Sequence, residues 1–176
     1  TAVDGLSLRI KEGEIFGLLG PNGAGKTTTL SMLATLLQPT EGSAFVNGFD
    51  VKREPSSVRR SIGFVFQDYQ LLSDLNVIDN ICLPALLKKT ASANSEMVNI
   101  KKDANYLIRK LNMGHRVKHF PSQLSGGERQ RVAIIRALIN KPEIIYCDEP
   151  TGNIDSVNAS IFAHLIIELN KNLGHT

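Results

Sequence analysis

The stretch Gly20-Pro21-Asn22-Gly23-Ala24-Gly25-Lys26-Thr27 matches the spacing G-x-x-x-x-G-K-[ST] at every fixed position. Glycines let a backbone curl around an anion with successive N–H groups pointing inward, and a following helix adds partial positive charge at its start. In such a frame Lys26 reaches the outer phosphates of a nucleotide and the Thr27 hydroxyl ligates Mg²⁺. Asn22, Gly23, Ala24, Gly25 and Thr28 are the remaining candidate contacts. The plain alternative is a glycine-rich turn with a solvated lysine, and the flanks argue against it. Ile15-Phe16-Gly17-Leu18-Leu19 has the composition of a strand buried on both faces. Leu30, Leu33, Ala34 and Leu37 recur at the spacing of one helix face, predicting a helix that runs to about Pro39. The chain is expected to bind a nucleoside triphosphate.

A second chemical constellation stands near the other end. Glu143-Ile144-Ile145-Tyr146-Cys147 predicts a buried strand that delivers Asp148 and Glu149 to its C-terminal edge, where open α/β sheets place their ligands. Two adjacent carboxylates there are costly unless a cation or a reaction uses them. Asp148 suits Mg²⁺, usually through water, and Glu149 suits polarising an attacking water. Between the two constellations, Leu124-Ser125-Gly126-Gly127-Glu128-Arg129-Gln130 opens a helix with Val132, Ile135, Leu138 and Ile139 on its apolar face. Ser125 and Glu128 form an S-x-x-E capping box, which is a sufficient local explanation. Ser125, Gly126 and Gly127 also present hydroxyl and N–H groups to a phosphate at a helix start, and the two readings are compatible.

These elements need a frame that positions them. A chain of 176 residues, 42% hydrophobic and 21% charged, fits one globular domain with a real core. A net charge of +3 without a long basic run predicts no nucleic-acid partner. Cys82 and Cys147 lie far apart without metal spacing and read as two reduced thiols of a cytosolic protein. No stretch approaches the ~20 apolar residues of a membrane span, and none at the start reads as a signal peptide. A membrane role is therefore expected to come through a partner. Leu6, Leu8 and Ile10 alternate with polar residues as in a half-buried strand, and Gly13 turns the chain toward Ile15. Asn47-Gly48 between Ala44-Phe45-Val46 and Phe49-Asp50-Val51 predicts a tight hairpin. A helical turn is expected after Pro55, and Ile62–Phe66 is a further buried strand ending at Gln67. From Asp68 the texture becomes helical, with Ala104, Leu107, Ile108 and Leu111 on one face and a polar stretch over Thr90–Ser95. The last helix is expected over roughly Asp155 to Leu173, with Ile161, Phe162, Leu165, Ile166 and Leu169 apolar. The expected organisation is an α/β core with a mainly parallel sheet and N-terminal antiparallel strands over 1–67. A helical subdomain follows over 68–124, then the capped helix, acidic strand and final helix over 125–176.

In combination and order these stretches resemble the ATP-binding-cassette (ABC) ATPases, a P-loop NTPase family. Gly20 to Thr27 is similar to Walker A, Gln67 to the Q-loop glutamine, Leu124 to Gln130 to the signature LSGGERQ, Ile144 to Glu149 to Walker B, and Asn153-Ile154-Asp155 to the D-loop. The resemblance covers nearly the whole chain. It implies an ATPase that uses ATP and Mg²⁺, with Glu149, Lys26 and Gln67 in catalysis and Thr27, Gln67 and Asp148 around the metal. It implies a head-to-tail dimer with each ATP between Walker A of one subunit and the signature of the other. Gln67 and the helical segment are expected to relay nucleotide state to a transmembrane permease, placing the chain on the cytoplasmic face of the membrane as a peripheral subunit.

Two departures from the family pattern matter. The family's histidine that contacts the γ-phosphate follows a further strand; His175 comes too early for it, and no aromatic residue matches the family's adenine-stacking position. The chain thus reads as trimmed at both ends, with slow turnover and weak base selectivity expected. The text also changes style. Gly20 to Thr29, Met32 to Leu37 and Val51 to Pro55 resemble drug- and antibiotic-exporter ATPases. Leu71-Leu72, Asn80 to Pro84 and Glu149 to Asp155 resemble those of lipoprotein release and macrolide efflux. A join within about Ile62 to Ser73 fits a natural mosaic or an engineered chimera. The leading expectation is the ATPase of an exporter. A nucleotide-binding fragment with little turnover is the second reading. A nucleic-acid-maintenance ATPase is a third, disfavoured because residues 68–124 hold neither long heptads nor a zinc module.

Overall fold

Asn47 and Gly48 both adopt left-handed backbone angles, with φ of 51° and 79°. Two such residues in succession make the tight turn that matches strand twist. They join β1 (Phe45–Val46) to β2 (Phe49–Asp50) antiparallel, with Phe45 opposite Asp50 and Val46 opposite Phe49. The computed structural model describes residues 2–87, 94–152 and 156–173. Thr90–Ala93, Asn153–Asp155 and His175 of the readings above lie outside the described residues.

Beyond the hairpin the order is α2 (Pro55–Ser61), β3 (Ile62–Val65), α3 (Val77–Leu87), α4 (Asn94–Lys110), α5 (Gly126–Leu138), β4 (Ile144–Cys147) and α6 (Ser156–Leu173). Ahead of the hairpin stands α1 (Lys26–Leu33), and two 3₁₀ turns, Gly114–Arg116 and Pro121–Gln123, link α4 to α5. β3 is hydrogen-bonded beside β4 although a long helical segment separates them in sequence. The chain divides into two compact units. One holds Thr1–Phe64, Pro142–Asp148 and Ser160–Thr176; the other holds Val65–Lys141 and Glu149–Ala159.

In the first unit Val46, Val51 and Val58 form a buried centre, packed by Leu33, Ala44, Phe49, Ile62, Ile144 and Tyr146. The Phe64 and Tyr146 rings meet edge to face at 6.2 Å, binding β3 to β4 through side chains as well as backbone. From α6, Asn170 donates an amide hydrogen bond to the Gly13 carbonyl at 2.8 Å. In the second unit α3 packs against α4 and α5. The α4 face predicted from periodicity is the buried one: Ala104, Leu107, Ile108 and Leu111 all lie in the core, as do Val132, Ile135 and Leu138 of α5. Asn80, fully buried, is the polar hub of this unit. Its amide donates to the carbonyls of Leu72, Leu75 and Asn76 and accepts from the Leu72 N–H, so one side chain shapes the whole 72–76 loop.

Three expectations differ from the structure. Ile15–Leu19 is not a strand, and all of it but the half-buried Leu18 is exposed, Leu19 by 94% and Ile15 by 54%. Leu6–Ile10 is likewise without strand pairing and open to solvent. An apolar run states a demand for burial, but a strand exists only where a neighbouring backbone accepts its ladder. The strand pairs among the described residues are β1 with β2 and β3 with β4. The first helix also stops well short of Pro39. Thr35 turns left-handed (φ 61°), and the Leu36 and Leu37 N–H groups both return to the Ser31 carbonyl, closing the last turn. Leu37 is left exposed by that closure.

Candidate functional site

The first unit carries the glycine-rich loop. Gly23 and Gly25 take φ of 83° and 84°, and a Cβ on Gly25 would stand 2.4 Å from the Ala2 carbonyl oxygen. Conformation and crowding together exclude any other residue there. Gly25 is also the N-cap of α1 and offers its first-turn N–H groups no side-chain acceptor. That helix start therefore has the electrostatics of an anion site. Lys26 extends back along the loop and donates to the carbonyls of Gly20 (2.9 Å) and Pro21 (3.0 Å). Asn22, Gly23, Ala24 and Thr27 are exposed, with Thr28 half-buried behind them. Thr29, the next hydroxyl, is buried and committed to the Gly25 carbonyl at 2.9 Å.

The same unit brings the Thr27 hydroxyl to the Asp148 carboxylate, Oγ1 to Oδ1 at 3.1 Å. Two oxygen ligands in adjacent positions of an octahedral Mg²⁺ shell, at ~2.1 Å from the metal, stand roughly 3 Å apart. The pair fits a hard cation in both chemistry and spacing. β4 positions Asp148, because all four of its residues are half-buried beside β3 and its last one precedes the carboxylate directly.

Glu149 follows by one peptide bond and belongs to the second unit, with Gln67. The Gln67 amide donates to the Glu149 carboxylate at 3.3 Å. Glu149 sits at φ 43°, an angle that costs a non-glycine residue about 1 kcal/mol or more. Its carbonyl accepts from the Gly152 N–H at 3.0 Å, closing the turn that holds it. A Cβ on Gly152 would meet both the Gln67 amide and the Glu149 carbonyl at 3.4 Å, an ordinary contact distance, so Gly152 stands directly beside the pair.

At the start of α5 the capping box is present in both directions. Ser125 Oγ accepts from the Glu128 N–H at 3.3 Å, and the Glu128 carboxylate accepts from the Ser125 N–H at 2.8 Å. Ser125 is nonetheless exposed, and a hydroxyl keeps a donor proton and a second lone pair after one bond. Sequence reasoning missed the partner that secures this cap. Arg116, from a 3₁₀ turn, donates through Nε to Glu128 at 2.7 Å. No local pattern links the two residues; only the fold of the loop before α5 does. Burial alone would raise the Glu128 pKa, but the Ser125 N–H, the Arg116 guanidinium and the Ser125 hydroxyl outweigh it and lower it to about 2. A depressed carboxylate stabilises the fold fully above its ordinary value near 4.5 and loses that contribution as pH falls toward 2. Thermal midpoints of parent and Glu128→Gln are expected to differ at pH 6 and converge by pH 2. A difference that stays constant across that range would show that the charge is not what secures the cap.

A glycine-rich loop at a helix start, with a strand-end carboxylate beside the hydroxyl that follows the lysine, defines a P-loop nucleotide-binding protein. The family model described as "ABC transporter" matches residues 3–152, and the chain belongs to that family. The lipoprotein-releasing system ATP-binding protein LolD of Buchnera aphidicola subsp. Acyrthosiphon pisum is 40% identical over 176 residues, covering 97% of this chain and 75% of that protein. The macrolide export ATP-binding/permease protein MacB of Rhodopirellula baltica is 40% identical over 177 residues, 98% of this chain but 25% of the longer relative. The dimeric structure of MJ0796, a bacterial ABC transporter cassette, superposes with a TM-score of 0.88 at 37% identity, covering 99% of this chain and 77% of that one. A post-hydrolysis form of MJ0796 bound to ADP and Pi gives the same TM-score at 36% identity. The fold is the α/β fold of the ABC cassettes, and the chain is an ATP-binding ATPase domain of transporter type. Among the described residues no helix is long and apolar enough to cross a membrane.

Proposed function

We propose that this chain energises export through a membrane permease, working as a head-to-tail pair of cassettes peripheral to the cytoplasmic face of the membrane. The observation that carries the site is the 3.1 Å pairing of Thr27 with Asp148, which sets two hard oxygen donors one residue from Lys26 and one residue from Glu149. The loop amides of Asn22 to Thr28 and the Lys26 ammonium hold the triphosphate and stabilise the charge that develops on the transferring phosphoryl group. Thr27 and Asp148 would hold Mg²⁺, with Gln67 a further ligand by resemblance to the family, and the ion would supply neutralisation of the phosphate oxygens. Glu149 orients a water for in-line attack on the γ-phosphorus, and the bond to the bridging oxygen breaks to leave ADP and phosphate.

Support for the pairing comes from the dimeric MJ0796 cassette and from the signature helix, whose capped start and exposed Ser125 suit a phosphate delivered by another copy. Support for the permease comes from MacB, a relative whose name joins ATP-binding and permease functions in one protein. Complementation tests the arrangement. Lys26→Ala disables the loop, and Gly126→Asp sets a carboxylate at the α5 start, favourable to the helix but repulsive to phosphate. Each alone should be inactive. An equal mixture should recover about a quarter of parental hydrolysis, because half of randomly paired dimers contain one intact composite site. No recovery despite exchange of subunits would place both motifs of a site in one chain and overturn the head-to-tail reading.

A further inference from the structure

Immediately after Gln67 the backbone does something unusual. Tyr69 and Gln70 occupy the left-handed region in succession, with φ of 60° and 48°. Glycine tolerates such angles; a tyrosine and a glutamine adopt them only where the surroundings hold them there. The holding group is visible. Arg136, half-buried on the third turn of α5, donates through Nη2 to the Tyr69 carbonyl at 2.6 Å and through Nη1 to the Gln70 carbonyl. A second arginine of the same helix completes the clasp. Arg129 lies over the Tyr69 ring, 5.5 Å from its centroid, and donates to the Leu124 carbonyl at 2.8 Å. Tyr69 is buried as a result, whereas its neighbours Gln67, Asp68 and Gln70 are exposed.

We propose that Arg136 is a positioning residue for ATP hydrolysis: by fixing the carbonyls of Tyr69 and Gln70 it sets where Gln67 meets Glu149. The reach is short. Tyr69 lies two residues from Gln67, at most about 7 Å of extended chain, so anchoring one carbonyl confines the other residue closely. The Gln67 amide in turn contacts the Glu149 carboxylate at 3.3 Å within the same unit. The guanidinium is suited to this task because its planar fork serves two successive carbonyls from one side chain, which a lysine ammonium cannot do in the same geometry. The two arginines also tie the Gln67 segment to the helix that begins at Ser125, so a shift of α5 is transmitted to the backbone beside Gln67.

The inference rests on the proposed role of Gln67, and a double-mutant cycle separates the two. Steady-state hydrolysis of MgATP is measured for the full chain and for Arg136→Lys, Gln67→Ala and their combination, with thermal midpoints alongside. Arg136→Lys should lower kcat about tenfold with KM within about twofold of the parent. Gln67→Ala should lower kcat at least as much, and the double variant should be no slower than Gln67→Ala alone, because Arg136 acts only through that residue. Losses that multiply in the double variant, or a parental kcat in Arg136→Lys, would overturn the inference while leaving Gln67 in place. A parental kcat in Gln67→Ala would remove both together. Should the lysine variant fold poorly, Arg136→Met fills the same volume with no charge to leave unpaired, and the same non-additivity is expected of it.

Discussion

Glu149→Gln is expected to lower kcat by ~10²-fold or more, the loss typical of a displaced general base, while retaining MgATP. The substitution isolates charge from shape. A glutamine at 149 keeps an oxygen that still accepts from the Gln67 amide, now 3.3 Å from the carboxylate, and it keeps the turn closed by Gly152. The left-handed backbone at this position is no harder for glutamine than for glutamate. What disappears is the negative charge that draws a proton from water. Hydrolysis then no longer ends the nucleotide-bound state, so size-exclusion chromatography with MgATP should show a dimer that the parent holds only transiently. Parental turnover in the variant would take Glu149 out of the mechanism.

Lys26→Ala acts on binding instead. The Nζ group donates to the Gly20 and Pro21 carbonyls, and a bound triphosphate offers it charged oxygens that make stronger bonds. Those two carbonyls belong to exposed residues, so water can replace the ammonium, and the ligand-free protein should fold with nearly its parental midpoint. A ligand at a hundred times its Kd stabilises a protein by about 2.7 kcal/mol. Weakening the Kd by about a hundredfold at the same concentration leaves about 0.4 kcal/mol. Thermal denaturation with and without MgATP reads the difference directly: most of the parental shift should vanish. Equal shifts in the two proteins would mean that the loop does not hold the terminal phosphates through this residue.

Local chemistry is what the amino-acid sequence by itself determined. Asn47-Gly48 specified its turn because two left-handed residues in a row satisfy one hairpin geometry. Ser125 and Glu128 specified the start of α5 because their bonds span three residues. Ala104, Leu107, Ile108 and Leu111 specified the buried face of α4 through a period of 3.6. The phosphate loop was legible for the same reason, since Gly25 takes a φ of 84° that favours glycine. Each of these energies lies within one or two turns of chain or is forced by backbone shape. Tertiary structure alone decided the pairs that join distant residues: Thr27 with Asp148, Gln67 with Glu149, Arg116 with Glu128, and Arg136 with the carbonyls after Gln67. It also decided that Ile15–Leu19, apolar enough for a central strand, lies unpaired, and that α1 ends at Leu33. Composition sets how strongly a segment seeks a partner, but the path of the rest of the chain determines whether a backbone ladder or an opposite charge arrives beside it.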